Sequence, residues 1–155
     1  MIILSKMADY GVIVATHLAA DPARQMNAAS LAAETRLPQA TVAKVLKSLA
    51  HHGIVVGARG AAGGYRLARP AAAITVAQVV AAIDGAIGMT QCSVHEPRPG
   101  NSCERTQFCP TRPHWRRINL AVGEALAAVT LAEMAAPPLP PAGLSPDNFR
   151  QHAPQ

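Results

Sequence analysis

Between Ser5 and Ala20, the residues Tyr10, Ile13, Val14, His17 and Leu18 recur three and four positions apart. That spacing predicts an amphipathic helix, ended by Asp21-Pro22. Asn27 can cap a short second helix over Ala28 to Thr35, with Leu31 and Ala32 facing inward. Leu37-Pro38-Gln39 makes a tight connection, and proline is acceptable there because a first-turn amide has no helical acceptor. A third helix is predicted from Gln39 to His52, stopped by Gly53. Its apolar residues Val42, Val45, Leu46 and Leu49 fall at i, i+3, i+4 and i+7; its other face carries Ala40, Ala43, Lys44 and Lys47. Then the period shortens. Ile54-Val55-Val56 and Tyr65-Arg66-Leu67 read as short strands joined by the glycine-rich run from Gly57 to Gly64. A further helix is predicted over Thr75 to Ile83, capped by Thr75, with Val76, Val79, Val80 and Ile83 inward.

From His114 to Met134, Trp115, Ile118, Val122, Ala125, Leu126 and Val129 recur every three or four residues. This predicts one long helix whose seam suits pairing with a second copy. The same periodicity also fits a helix folded back on its own core. From Ala135 onward the chain holds six prolines and little apolar periodicity, which predicts a disordered tail. There is no internal repeat.

Charge divides the 155 residues unevenly. Residues 1–70 carry 8 basic and 3 acidic side chains, whereas residues 71–155 carry 6 of each. The first half therefore suits an anionic partner, and clustered Lys and Arg favour nucleic acid. Aromatics are 3% and half the residues are hydrophobic, so the core must be built from small and aliphatic side chains. That apolar content excludes full disorder. The longest uncharged stretch, Pro70 to Ile83, is too short to span a bilayer, and Met1-Ile2-Ile3-Leu4 is too short for a signal peptide. The expectation is a cytoplasmic protein with no membrane partner.

Cys92, Cys103 and Cys109 fall within 18 residues, spaced C-x10-C-x5-C. An odd number of thiols in a polar, breaker-rich segment argues against a disulfide framework and for a metal or cluster. Zinc sites usually bring C-x2-4-C pairs, and none is present. Three separated thiolates can instead hold an iron–sulfur cluster, with a fourth ligand from elsewhere.

Two short helices, the second basic on its outward face, followed at once by a two-strand hairpin, describe a winged helix-turn-helix. Arg59 and Arg66 sit at or near the hairpin tip, and Gly60, Gly63 and Gly64 permit close approach of the backbone to a partner. A nucleotide loop is excluded because no helix follows the glycines and no Gly-Lys-Ser/Thr is present. Catalysis is not expected: there is no nucleophile–base pair and no Gly-x-Ser-x-Gly elbow. The fold class is α+β, mainly α. The expected parts are a winged helix over 1–85, a cysteine loop over 86–113, a dimerisation helix over 114–135 and a tail over 136–155.

Leu4-Ser5-Lys6-Met7-Ala8-Asp9-Tyr10, the wing run Arg59-Gly60-Ala61-Ala62-Gly63-Gly64-Tyr65-Arg66-Leu67, and three cysteines ahead of Trp115 together resemble the Rrf2 family of winged-helix regulators. The resemblance covers about residues 3–135. Its members include IscR-type iron–sulfur assembly regulators and NsrR-type nitric oxide sensors. The stretches from Trp115 to Asn119 and from Thr130 to Met134 look most like the branch that regulates Suf cluster-assembly genes.

The resemblance implies a homodimer on a double-stranded DNA operator, an iron–sulfur cluster held by Cys92, Cys103 and Cys109, and cluster-delivery proteins as further partners. It implies a 2Fe–2S cluster in preference to a 4Fe–4S cluster. IscR-type members place a histidine ligand three residues after the third cysteine, where this chain has Arg112; His114 is the nearest histidine. Asp9 matches the aspartate that NsrR-type members supply from the partner subunit, although a first-turn acid also suits the helix dipole. For DNA, Gln39 and Thr41 are expected at base edges or phosphates, and the Ala40 and Ala43 methyls against thymine methyls. Lys44 and Lys47 point outward, Lys47 to phosphate. Arg59 is expected in the minor groove. The implied function is a repressor sensing cluster status. The alternatives are a nitric oxide or redox sensor of the same family, and a zinc-stabilised constitutive DNA-binding module.

Overall fold

In the computed structural model the described residues are 4–58, 60, 63–90, 103 and 108–137. Helix α1 spans Lys6–Ala20, α2 Ala28–Thr35 and α3 Gln39–His51. Strands β1, Val55–Ala58, and β2, Gly64–Leu67, form an antiparallel pair. A 3-10 turn over Ala71–Ala73 leads into α4, Val76–Asp84; after the cysteine segment come α5, Arg112–Ala127, and α6, Leu131–Ala135.

The helix starts follow local chemistry. Ser5, Asn27, Thr75 and Thr130 each accept a backbone amide three residues on, so each turns an orphan donor into a cap. Arg36 ends α2 at φ 56°, the left-handed conformation usually given to glycine. That turn redirects the chain through Leu37-Pro38 into α3. Val42, Val45, Leu46 and Leu49 are all fully buried, and with Leu18 and Leu31 they form the centre of the core.

The inward face of α1 differs from the one its large residues predict. Its buried residues are Ala8, Gly11, Val14, Ala15, Leu18 and Ala19. Ile13 is 37% exposed, Tyr10 is half-buried, and His17 is paired with Glu34 at the surface. Small residues win because they let α4 approach closely: a Cβ on Gly11 would lie 2.9 Å from Ile83 Cγ1. Close approach also brings Ser5 Oγ to within 2.7 Å of Asp84 Oδ1, where it donates a hydrogen bond.

The single long helix expected over 114–134 is broken. Helix α5 ends at Ala127, residues 128–130 cross in extended or turn conformation, and α6 restarts at Leu131. Thr130 pairs with Thr75 in an antiparallel bridge, which pulls the chain out of helix and seats Leu131, fully buried, in the core. The expected seam is split as a result. Leu126 packs against Val76 and Val80 of its own chain, while Ile118 stays 42% exposed. Most of the expected disordered tail, residues 138–155, lies outside the described residues.

Candidate nucleic-acid interface

Helix α3 is held from behind and open in front. Ser48 Oγ donates to Ala82 O at 2.6 Å, fastening α3 to α4. On the outward side Gln39, Ala40, Ala43, Lys44 and Lys47 are exposed, and Thr41 is half-buried in the first turn. The six α3 residues expected at DNA therefore lie on one accessible side of the helix. Arg36, which the hydropathy pattern did not single out, is exposed in the turn just before it. A non-glycine in the left-handed region has no signature in apolar periodicity.

The wing register is Val55↔Leu67, Val56↔Arg66, Gly57↔Tyr65 and Ala58↔Gly64. Arg66 is therefore two pairs back from the tip-proximal Ala58–Gly64 pair, exposed, with Nη1 donating to Leu67 O at 3.4 Å. At the tip Gly60 takes φ +114°, and its carbonyl accepts the Gly63 amide at 2.9 Å. Arg59 lies outside the described residues. Gly64, also expected on the DNA side, sits deeper than Gly60. It is buried, and an added Cβ would stand 2.8 Å from Met26 C. Met26 and Tyr65 exchange two backbone hydrogen bonds, 3.1 and 2.8 Å long, so Gly64 is required by packing beneath the wing.

The local charges are not all available to a partner. Glu34 binds Arg24 through two contacts of 2.7 and 3.1 Å and His17 at 2.9 Å. Hydrogen bonds from Arg24 and then His17 hold the Glu34 carboxyl below its ordinary value. Arg69 is turned to Ala73 O and Gln78 Oε1. Among the described residues, the Lys and Arg side chains left facing outward on α3 and in the turn before it are Arg36, Lys44 and Lys47.

The cysteine segment meets α5 at both ends. Met89 N–H donates to Asn119 Oδ1 at 2.9 Å, and Asn119 is the one buried polar residue on α5. Its position between Trp115 and Val122 on an apolar helix face was the available sequence signal. Cys109 is half-buried with Sγ 3.2 Å from Thr111 Oγ1, just before α5 begins. Cys103 is also half-buried, whereas Cys92 lies outside the described residues. Asp9 and His114 are both exposed. Among the described residues, no three of His, Cys, Asp and Glu gather closely enough to hold a metal ion. The described donors nonetheless suit one chemically: Cys103 and Cys109 are soft thiol ligands, and Cys109 stands just ahead of the α5 N-terminus.

A family model for Rrf2, described as an iron-dependent transcriptional regulator, matches residues 4–137. The chain belongs to the Rrf2 family. Its helices and two-strand wing form the winged-helix fold of the Rrf2-family transcriptional regulators. It is 32% identical over 91 residues to the HTH-type transcriptional regulator IscR of Yersinia enterocolitica, covering 59% of this chain and 52% of that one. The matched stretch spans about half the length of the curated relatives. Among solved structures it is similar to CymR, the global cysteine regulator of B. subtilis, with 28% identity, a TM-score of 0.67, and coverage of 87% of this chain and 97% of that one. IscR of T. potens shares the fold, with 23% identity, a TM-score of 0.67, and coverage of 99% and 93%. Among the described residues no helix of this Rrf2-family chain is long and apolar enough to cross a membrane.

Proposed function

We propose that this Rrf2-family chain is a repressor that binds double-stranded DNA operators as a homodimer, senses iron–sulfur cluster status through Cys92, Cys103 and Cys109, and controls cluster-assembly genes. The observation that carries the reading is mechanical: the cysteine segment is tied to α5 through Met89 and Asn119 at one end and Cys109 at the other. Helix α5 packs on α4, and α4 is fastened to α3 through Ser48. A change in how the segment is held is thereby felt at α3, the helix that reads the DNA in this proposal, three contacts away.

In this reading the three thiolates hold the cluster, and Asp9 of the partner subunit or His114 supplies the fourth ligand. When bound, the cluster supplies iron- and redox-dependent ligation at the end of α5. The 2Fe–2S form is preferred. Ile118, Ala121 and Ala125 are exposed on α5 at i, i+3 and i+7 and form the dimer seam.

The likeness to CymR at 28% identity favours a second reading, regulation linked to cysteine supply with no cluster. Anaerobic purification separates the two. A cluster regulator is brown, carries iron and acid-labile sulfide in equal amounts, and loses its visible spectrum in each of Cys92→Ala, Cys103→Ala and Cys109→Ala. A colourless protein without iron, still binding DNA, would overturn the cluster reading in favour of the second.

A further inference from the structure

The exposed basic face of α3 continues past Lys47. An α-helix advances about 100° per residue, so positions 40, 44, 47 and 51 fall within about 60° of one another. Ala40, Lys44, Lys47 and His51 thus form one stripe, and all four are exposed. Lys44, Lys47, Ser48 and His51 line a single open concavity of about 490 Å³, with no carboxylate in its wall. The Ser48 hydroxyl is committed to Ala82 O, which leaves the two lysines and His51 as the charge-bearing groups facing the space.

His52 is engaged elsewhere. Its Nδ1 lies 2.9 Å from Ser48 O, and its ring meets that of His51 edge to face with centroids 5.1 Å apart. The charged and titratable groups on the elements packed against α3 are Lys6, Asp9, Tyr10 and His17 on α1, Glu34 on α2 and Asp84 on α4. Glu34 is bound by Arg24 and His17, and Asp84 accepts from Ser5. Among the described residues His51 takes part in no ion pair.

We propose that His51 is a proton-linked contact to a DNA backbone phosphate, completing with Lys44 and Lys47 an anion-binding stripe along the recognition helix. The inference rests on the DNA-binding reading above and adds to it a residue and a pH dependence. Two lysines give a constant attraction, whereas histidine is the side chain whose charge changes between about pH 5 and 8. Protonated, His51 brings a third cation to the groove and releases one more counterion on binding.

The test uses the full chain and mixed-sequence duplex DNA, since a phosphate contact is indifferent to sequence. Affinity is measured by fluorescence anisotropy across a salt series at about pH 6 and about pH 8. Wild-type protein should bind several-fold tighter at the lower pH, with a log–log salt slope steeper by about one for each protomer engaged. His51→Gln should match wild type at the higher pH and lose most of the gain at the lower. His52→Gln should keep the gain, and His51→Arg should bind tightly at both. A gain that persists in His51→Gln, or is missing from wild type, overturns the proposal. Failure of the DNA-binding reading looks different: wild type would not bind duplex at either pH, or Lys44→Ala and Lys47→Ala would bind as well as wild type.

Discussion

Thr75 and Thr130 face each other across an antiparallel bridge, and each caps the helix that starts beside it. Val76 N–H donates to Val129 O, and Leu131 N–H donates to Ile74 O, both at 2.9 Å. Each threonine accepts the amide three residues on, and Gln78 or Glu133 bonds back to the threonine amide, so two capping boxes stand side by side. Thr130 must be extended, at φ −96° and ψ 160°, to pair and cap at once, and α5 cannot continue through it.

Thr130→Ala should therefore cost about 1 kcal/mol, the ordinary worth of a side-chain cap. The loss should be local: amide exchange at Leu131 and Glu133 should speed up more than at Leu46. Thr130→Ser should restore most of the protection. Unchanged exchange at Leu131 in Thr130→Ala would mean the bridge alone holds α6.

Two carboxylates tie stability to pH on the acid side. Hydrogen bonds from the Thr130 amide and hydroxyl hold the Glu133 carboxyl below its ordinary value, as Arg24 and then His17 do for Glu34. A lowered folded value means stabilisation that is present above the ordinary carboxylate range and is lost as pH falls through the lowered value. Thermal unfolding followed from about pH 7 to about pH 3 should thus decline less steeply in a Glu34→Gln, Glu133→Gln double variant than in wild type. Parallel curves would show that neither bond contributes to acid sensitivity.

Gly64→Ala should destabilise by about 1–3 kcal/mol, the usual range for overpacking, because the new methyl would meet Met26 backbone rather than a movable side-chain end. Among the described residues an added Cβ on Gly60 meets no atom within 4 Å, so Gly60→Ala is strained there by its positive φ. Urea unfolding of the pair should rank Gly64→Ala as the more damaging. The reverse order would place the packing constraint at the tip.

Replacing Ile118 and Ala125 together by Asp should give a folded monomer in sedimentation, since two charges would be forced into the proposed dimer seam. Leu120→Asp, on the other side of α5, should remain dimeric. A dimer that survives the first double variant at micromolar concentration would locate the seam elsewhere.

Much of the winged helix was legible in the residues. Asn27 and Thr75 cap the helices they were expected to cap, and Val42, Val45, Leu46 and Leu49 fill the core as their spacing predicts. These features depend on groups within one or two turns of each other, so local pattern carries them. The outward stripe of α3 was legible as far as Lys47 for the same reason; His51 continues it, but a histidine next to a predicted helix end carries no strong periodic signal.

What the residues determined by themselves is therefore the order of elements, the caps, the core face of α3 and the clustering of three thiols in one segment. Tertiary structure alone decided which face of α1 is buried, why Gly64 must be glycine and where the last helix breaks. In each case the deciding partner is remote: Ile83 for Gly11, Met26 for Gly64, Thr75 for Thr130. Apolar periodicity records how large a residue's own side chain is, whereas close packing rewards whatever lets two backbones approach, including the absence of a side chain. A helix rich in alanine and glycine can bury its small face, and a strand-like contact between residues 55 positions apart leaves no trace in either local pattern.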